Sequence, residues 1–246
     1  MIFDCFMYCG ERELLEIRLE TLGPHVGCFI ITEADRTHSG TIKGYDFRLK
    51  DLPWAHKIDY RPWLSPHGSA WEREYDQRNH AARALEEYAH ADDWVLIGDL
   101  DEIPNPAIFA DLKAGCLQQR MTQGWANWFC PVPWAGTMVV QRGEMGTPVE
   151  VRAQRTGAPA IADGGWHLTY LGGVEAIQRK LRSFAHTEYS VAPYTDAGYI
   201  IERLESGVGL FDPPGSPRRF WPEPITSLPE YIQQNREKFA RLLREA

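Results

Sequence analysis

The chain has 246 residues, 43% hydrophobic and 24% charged, a composition typical of a globular protein and not of a disordered one. Its net charge of −8 disfavours general nucleic-acid binding. It contains no apolar run near the roughly 20 residues that a membrane-spanning helix needs. The N-terminus has no signal-peptide pattern, and the five cysteines include no CxxC pair. We therefore expect a cytoplasmic protein without an integral membrane segment and without a disulfide framework.

The first half of the chain alternates strand and helix patterns. Predicted strands cover residues 2–8, 26–32, 57–60 and 94–98, and a predicted helix covers residues 11–22. Ser69 followed by Glu72 is a capping-box pattern that predicts the start of a second helix. The spacing along that helix predicts that Trp71 and Tyr75 belong to its buried stripe. Asn105-Pro106 predicts a further short helix.

The second half reads as strands separated by Gly/Pro turns, followed by helices. The predicted strands are 121–129, 134–142, 149–153 and 166–171, and a helix is predicted over 174–184. Residues 212–217 read as a turn-rich surface loop, and Ser227 with Glu230 predicts a capped C-terminal helix. A βαβ half that runs without a break into a mixed half predicts one α/β domain. We expect its central sheet to be mixed, mostly parallel and flanked by helices.

The strongest chemical signal is the pair Asp99 and Asp101, which follows a buried strand. Ligands of open α/β sheets bind beyond the carboxyl ends of strands. Two carboxylates separated by one residue can converge there on Mg²⁺ or Mn²⁺, which prefer oxygen ligands and bridge to phosphates. Residues 84–112 contain eight acids and no Lys or Arg, which favours a metal site over a plain polar turn.

Two histidines and several basic residues are possible partners of these acids. His186 follows a predicted helix and could complete a carboxylate metal site, and His167 lies in the Gly-rich segment 164–173; the alternative for each is a hydrogen-bonded histidine with no ligand role. Arg78 and Asn79 precede the acidic strand, and Lys180 lies on the helix before His186. Such residues suit phosphate contacts, the alternative being a solvated helix face.

Seven segments in order resemble glycosyltransferase family 17, the family of the enzyme that adds bisecting N-acetylglucosamine to glycoproteins. They are residues 4–6 (DCF), 13–18 (ELLEIR), 33–40 (EADRTHSG), 73–79 (REYDQRN), 99–104 (DLDEIP), 165–170 (GWHLTY) and 180–186 (KLRSFAH). The resemblance runs from about residue 2 to about residue 190. We expect no membrane anchor or stem like those of the animal enzyme, and we therefore do not expect that enzyme's acceptor.

The resemblance implies a GT-A-like domain over residues 1–246 and inversion at the anomeric carbon. Its nucleotide-sugar half would be about 1–115, its acceptor half about 116–200, and a C-terminal helical extension about 201–246. It implies UDP-GlcNAc or a related UDP-sugar as donor, Mn²⁺ or Mg²⁺ as cofactor, and a glycan or lipid-linked sugar as acceptor. The implied metal ligands are Asp99, Asp101 and His186. The residues expected to contact the donor are Glu33, Thr37, His38, Arg78, Asn79, Asp99, His167 and Lys180.

Direct displacement also needs a general base for the acceptor hydroxyl. Asp99 and Asp101 are committed to the cation, so the base is expected in the second half of the chain. Glu175 and Asp163 are the two candidates. Glu175 is favoured because a helix N-terminus keeps a carboxylate ionised, but the sequence does not exclude Asp163.

Two other functions remain open at this stage. A sugar-nucleotidyltransferase can share the fold and the metal chemistry, but it usually needs a Gly-rich N-terminal phosphate loop, and residues 8–12 (YCGER) are a poor version of one. A non-catalytic glycan-binding module could use the nine tryptophans as stacking platforms. Such a module would not need the acidic strand end.

Overall fold

The structure is a computed structural model that describes residues 1–213 and 215–244. Its strands are β1 (Ile2–Tyr8), β2 (Cys28–Ala34), β3 (Ile58–Trp63), β4 (Trp94–Ile97), β5 (Glu102–Pro104), β6 (Gly115–Gln123), β7 (Trp125–Phe129), β8 (Trp134–Gln141), β9 (Ala160–Ile161), β10 (Gly165–Thr169) and β11 (Trp221–Pro222). Its α-helices are α1 (Arg12–Leu22), α2 (Ala70–Tyr88), α3 (Pro148–Ala153), α4 (Gly173–Ser183), α5 (Ala197–Ser206) and α6 (Glu230–Gln234). None of the described helices is long and apolar enough to cross a membrane.

The strands form one mixed sheet in the order β11-β7-β6-β8-β4-β1-β2-β3, with β9 and β10 paired to β6 and β5 paired to β10. Pairing is parallel from β3 through β2 and β1 to β4, and again between β6 and its partners β9 and β10. Pairing is antiparallel across β4, β8, β6 and β7. Helices flank this sheet, so the predicted α/β domain with a mixed, mostly parallel sheet is confirmed, and it is consistent with a GT-A-like fold.

Helix α2 begins as the sequence predicts, but it buries a different face. Ser69 Oγ accepts a hydrogen bond from the Glu72 N–H at 3.2 Å, and the Glu72 carboxylate accepts one from the Ser69 N–H at 2.7 Å. The predicted burial of Trp71 and Tyr75 is wrong, because they are 37% and 44% exposed. The buried residues of the helix are Gln77, Arg78, Ala81, Ala84 and Leu85.

The predicted strand over residues 149–153 is wrong, because this segment is helix α3. Thr147 Oγ1 accepts from the Glu150 N–H, and the Glu150 carboxylate accepts from the Thr147 N–H. Pro148 occupies the first helical position, where its missing N–H is no loss. This local capping outweighs the strand propensity of the two valines in the segment.

The C-terminal segment also differs from its prediction. Ser227 does not cap a helix; its hydroxyl donates to Glu223, and α6 starts after Pro229 without a side-chain cap. The helix lasts five residues. Helix α5, which the sequence reading did not delimit, precedes this segment. Pro214, in the predicted surface loop, and residues 245–246, at the end of the predicted extension, lie outside the described residues.

Residues 215–244 nevertheless complete the core. Their buried apolar side chains pack against α1 and the sheet strands β5, β7 and β10 in one cluster, which contains Ile17, Ile103, Ala126, Phe129, Leu168, Leu228, Ile232, Phe239 and Leu242. At the surface of this contact, Tyr231 and Lys238 bind Glu16, and Arg241 binds Glu13.

Candidate active site

A cavity of about 640 Å³ opens at the carboxyl ends of β1, β4 and β10. This is the edge at which open α/β sheets bind ligands. Its wall includes side chains from α2, α3 and α4 as well as from the strand ends. The charged residues of the wall are Glu11, Glu74, Arg78, Asp99, Asp101, Arg152, Arg155, Lys180 and Arg218.

The acidic turn after β4 is held in place by Arg18 of α1. Arg18 forms a fully buried ion pair with Asp4 of β1, with contacts of 2.6 and 2.8 Å. Its remaining N–H groups donate to the backbone carbonyls of Asp99, Leu100 and Glu102. The backbone of the turn is therefore fixed, since a charged donor of α1 binds its carbonyls.

Asp99 faces the cavity between two arginines. Arg78 Nη1 lies 2.9 Å from Asp99 Oδ1, an ion pair without hydrogen-bond geometry, and Arg152 Nη2 donates to Asp99 Oδ2 at 2.9 Å. Burial raises the pKa of Asp99, but the charges of Arg78 and Arg152 outweigh burial and hold the pKa well below its ordinary value. Asp99 is thus ionised throughout the neutral range.

Asp101 faces the same cavity and has its own cationic partner. Lys180 Nζ donates to Asp101 Oδ2 at 2.6 Å and to Thr169 Oγ1 at 3.1 Å, and His167 Nε2 lies 3.6 Å from the same carboxylate oxygen. Burial opposes ionisation of Asp101, but Lys180 and then His167 keep its pKa well below the usual value. The predicted residues Asp99, Asp101, Arg78, His167 and Lys180 therefore meet in one place.

Glu102, the next acid in the motif, lies behind the cavity wall and is fully buried. Its carboxylate accepts hydrogen bonds from Arg152, from Trp134 Nε1 at 2.6 Å and from the Asp99 N–H at 3.1 Å. It therefore fixes the Asp99 backbone, the Arg152 guanidinium and the Trp134 indole at once. The ring of Trp134 in turn stacks on His167, with centroids 4.6 Å apart.

His186 lines the cavity, and its surroundings suit a metal ligand. Its Nδ1 lies 2.7 Å from Glu188 Oε1, an arrangement that leaves Nε2 available. Within the described residues, however, no three His, Cys, Asp or Glu side chains are grouped closely enough to hold a metal ion by themselves. Asp99 and Asp101 offer carboxylate oxygens to a hard cation, and phosphate oxygens of a substrate commonly supply the other ligands in such sites. A Mg²⁺ or Mn²⁺ ion held by these residues stays a prediction, and it would need phosphate oxygens of a substrate among its ligands.

The loop after β2 contributes one of its three predicted donor contacts to the cavity wall. His38 lines the cavity and hydrogen-bonds Gln77 Oε1 at 3.0 Å. Glu33 is fully buried outside the wall, where it binds Lys43 and the Tyr60 hydroxyl. Thr37 also lies outside the wall, and its Oγ1 accepts from the Thr41 N–H at 3.0 Å. The loop itself is ordered by these internal bonds.

Three more predicted residues lie away from the cavity. Asn79 Oδ1 accepts from the Val149 N–H at 3.1 Å and so joins α2 to α3. Glu175 is exposed on the first turn of α4, and Asp163 is exposed at a backbone φ of 52° before β10. Neither acid lines the cavity that contains Asp99 and Asp101, and the general-base role of each stays a prediction.

Sequence reasoning missed Arg152, Arg155 and Trp134, which also line the cavity. Arg152 belongs to α3, whose residues 149–153 were predicted as a strand, and Arg155 lies in the turn that follows. The Thr147 and Glu150 pair was a visible capping signal for that helix. Trp134 was visible as one of nine tryptophans, but nothing in its local sequence links it to Glu102.

Comparison with known proteins decides the family. The model of glycosyltransferase family 17 matches residues 1–214. The chain belongs to glycosyltransferase family 17. Membership of this family makes the chain a glycosyltransferase, which takes a sugar from a donor to an acceptor. Comparison with curated proteins finds no match.

Proposed function

We propose that this family 17 glycosyltransferase transfers a sugar, GlcNAc from UDP-GlcNAc, to a hydroxyl of a glycan or a lipid-linked sugar with inversion at the anomeric carbon. One observation carries the proposal. Two ionised carboxylates, Asp99 and Asp101, share a cavity with the cations Arg78, Arg152 and Lys180 at the carboxyl edge of the sheet. A site with both signs of charge suits a nucleotide diphosphate bound together with a divalent cation.

Asp99, Asp101 and His186 are the proposed ligands of Mn²⁺ or Mg²⁺. The bound cation would act as a Lewis acid that neutralises charge on the departing diphosphate. The protein adds its own cations at this point. Arg78 and Lys180 are already oriented by Asp99 and Asp101, so their charges are in position before the substrate binds. His38 and His167, which also line the cavity, are the remaining proposed donor contacts.

The acceptor hydroxyl must lose a proton on the side away from the diphosphate. Four acids line the cavity, namely Glu11, Glu74, Asp99 and Asp101. The last three carry cationic partners, whereas the described contact of the Glu11 carboxylate is with the Cys9 N–H at 3.0 Å. Glu11 is therefore our proposed base from the geometry, and Glu175 and Asp163 are the alternatives from the sequence.

A donor screen tests the function. The purified chain is incubated with a panel of nucleotide sugars and Mn²⁺, and release of the free nucleotide is measured with and without saccharide acceptors. We expect UDP release from UDP-GlcNAc that depends on the cation and is lost with a chelator. Nucleotide release from none of the donors, with or without acceptor, would contradict the proposal.

Three variants then separate the candidate bases. Glu11→Gln should reduce turnover by roughly 10²–10⁴-fold while UDP binding is unchanged, because a general base acts only on the chemical step. Glu175→Gln and Asp163→Asn should retain most of the turnover. A collapse in one of these two, with Glu11→Gln near normal, would transfer the role to that residue.

A further inference from the structure

The cationic side chains of the cavity wall differ in their partners. Arg78 pairs with Glu74 and Asp99, Arg152 with Asp99 and Glu102, Lys180 with Asp101, and Arg218 with Asp212. Arg155 completes the set. Within the described residues, the Arg155 guanidinium has no carboxylate partner and no hydrogen-bond acceptor. Among the cations of this wall, it is the one without a direct ion-pair partner in the part of the chain that the structure describes.

Arg155 is nevertheless held in a defined position. Its guanidinium lies over the ring of Trp134, 5.1 Å from the centroid. The Trp134 indole is fixed by its hydrogen bond to the buried Glu102. Stacking on an indole leaves the N–H donors at the edge of a guanidinium free to bind a ligand. The arrangement is therefore a pre-positioned donor set that faces an open cavity.

The surroundings of Arg155 already contain positive charge. Burial and the neighbouring charge of Arg152 lower the pKa of Arg155, and Glu102 and Asp99 partly offset this effect. An arginine nonetheless stays protonated in proteins at neutral pH. An anion that binds beside Arg155 would relieve this repulsion, so the electrostatics of the wall favour an anionic ligand here.

We infer that Arg155 binds the diphosphate of the sugar donor and stabilises it as the leaving group. The inference rests on the proposed function. In the displacement, the bond from the anomeric carbon to the diphosphate oxygen breaks and its electron pair leaves with that oxygen. The acceptor oxygen forms the new bond to the anomeric carbon and loses its proton to the base. Arg155 touches the group on which negative charge accumulates, and its N–H donors neutralise that charge.

Calorimetry with three probes tests this assignment. UDP, uridine and inorganic pyrophosphate are titrated, with Mn²⁺ present, into the wild type, Arg155→Ala, Arg155→Lys and Arg83→Ala. Arg155→Ala should weaken the binding of UDP and of pyrophosphate by about tenfold or more, and it should change the affinity for uridine by less than about twofold. Arg155→Lys should recover part of the loss. Arg83→Ala is the matched control, because Arg83 also lies over an indole, that of Trp63 at 5.7 Å, but outside the cavity, and it should bind UDP like the wild type.

The probes also separate this inference from the proposed donor. Suppose that the wild type binds pyrophosphate but not UDP, and that Arg155→Ala binds pyrophosphate more weakly. The diphosphate contact then stands and the nucleotide assignment fails. If Arg155→Ala binds UDP as tightly as the wild type does, the inference is overturned while the function stands. The same holds if its affinity for uridine falls as much as its affinity for UDP. A loss confined to an anionic acceptor in the transfer assay would also overturn it.

Discussion

Glu33 and Asp101 are both buried carboxylates, and their partners give them different tasks. Glu33 faces away from the cavity and binds Lys43, the Asp46 N–H and the Tyr60 hydroxyl, so that it holds the loop after β2. Asp101 borders the cavity and binds a cation, Lys180, that borders it too. The first acid therefore contributes mainly to stability, and the second mainly to the site.

Glu33→Gln should lower the free energy of unfolding by about 1–3 kcal/mol at neutral pH, since a buried charged partner is lost. Burial raises the pKa of Glu33, but hydrogen bonds from Lys43, Asp46 and Tyr60 leave it below the ordinary 4.5. The ionised Glu33 carboxylate therefore stabilises the fold fully above about pH 4.5, and this stabilisation is lost as pH falls through the lowered pKa of the folded state. Urea unfolding of both proteins across this range measures it. Glu175→Gln, at an exposed acid, is the control, and an equal effect there would contradict the assignment.

Asp101→Asn should reduce the Mn²⁺-dependent affinity for UDP by more than about tenfold, or roughly 1.4 kcal/mol. The substitution removes a proposed cation ligand and leaves Lys180 without its charged partner. Calorimetry with and without Mn²⁺ measures the effect, and Asp163→Asn, at an exposed acid outside the cavity, is the control. Unchanged affinity in Asp101→Asn would remove this residue from the site.

Among single residues, the sequence predicted the location of those that local context determines. Asp99 and Asp101 follow an apolar strand, and the carboxyl edge of a parallel sheet is where such acids meet a ligand. Glu33 and Asn79 lie in motifs of the family and yet point elsewhere, because their partners Tyr60 and Val149 come from distant segments. Contacts of that kind have no signature in the local sequence.

At the scale of elements, α2 connects the two sides of the cavity. Gln77 donates to the Thr32 carbonyl of β2 at 2.9 Å, and Arg78 pairs with Asp99 after β4. One residue further on, Asn79 binds the first turn of α3 through Val149. Because α3 carries Arg152, the position of one cavity wall depends on how α3 docks on α2.

Asn79→Ala should destabilise the protein by about 0.5–1.5 kcal/mol, since the Val149 N–H loses its acceptor. Hydrogen exchange should show faster exchange at the start of α3 while the β1 and β4 amides keep their protection. His80→Ala is the control on the same helix, because the His80 ring packs against Trp63 of β3, 4.5 Å between centroids, and it should leave α3 exchange unchanged. Unaltered exchange in Asn79→Ala would show that α3 docks by other contacts.

The elements that the sequence predicted well are those with local signals. The apolar runs of β1 and β4 and the capping box of α2 agree with the structure. Helix α3 was mispredicted because its two valines favour a strand, whereas the capping box of Thr147 and Glu150 stabilises a helix. The C-terminal helix was overextended, because Phe239 and Leu242 are buried by tertiary packing and not by lying on one helical stripe.

At the scale of the whole molecule, the folded core extends further along the chain than the family match does. The family model ends at residue 214, yet residues 215–244 supply Leu228, Ile232 and Phe239 to a core cluster with α1 and the sheet. Their burial removes apolar surface that the matched region would otherwise expose. This segment is therefore part of the folded structure that positions α1, and α1 in turn supplies Arg18 beneath the acidic turn.

Phe239→Ala should lower the free energy of unfolding by about 3–5 kcal/mol, because it leaves a cavity where a fully buried ring packs. Urea unfolding followed by circular dichroism measures the change. The matched control is Trp221→Ala, which removes an aromatic ring that is 54% exposed and should change stability by less than about 0.5 kcal/mol. Similar losses in both variants would contradict the role of the C-terminal segment in the core.

The contacts between α1 and the C-terminal segment also have a consequence for biosynthesis. Tyr231 and Lys238 reach Glu16 across 215 and 222 positions of the chain, and Arg241 reaches Glu13 across 228. Domains fold during translation only as their contacting parts emerge from the ribosome. Leu15, Leu19 and Leu22 of α1 pack against β1 and β2 and can be covered early, but Ile17 packs in the cluster that the C-terminal segment completes. A nascent chain therefore leaves the Ile17 side of α1 without this cover until about 215 further positions have been made, and chaperones that bind apolar surfaces have that long to act.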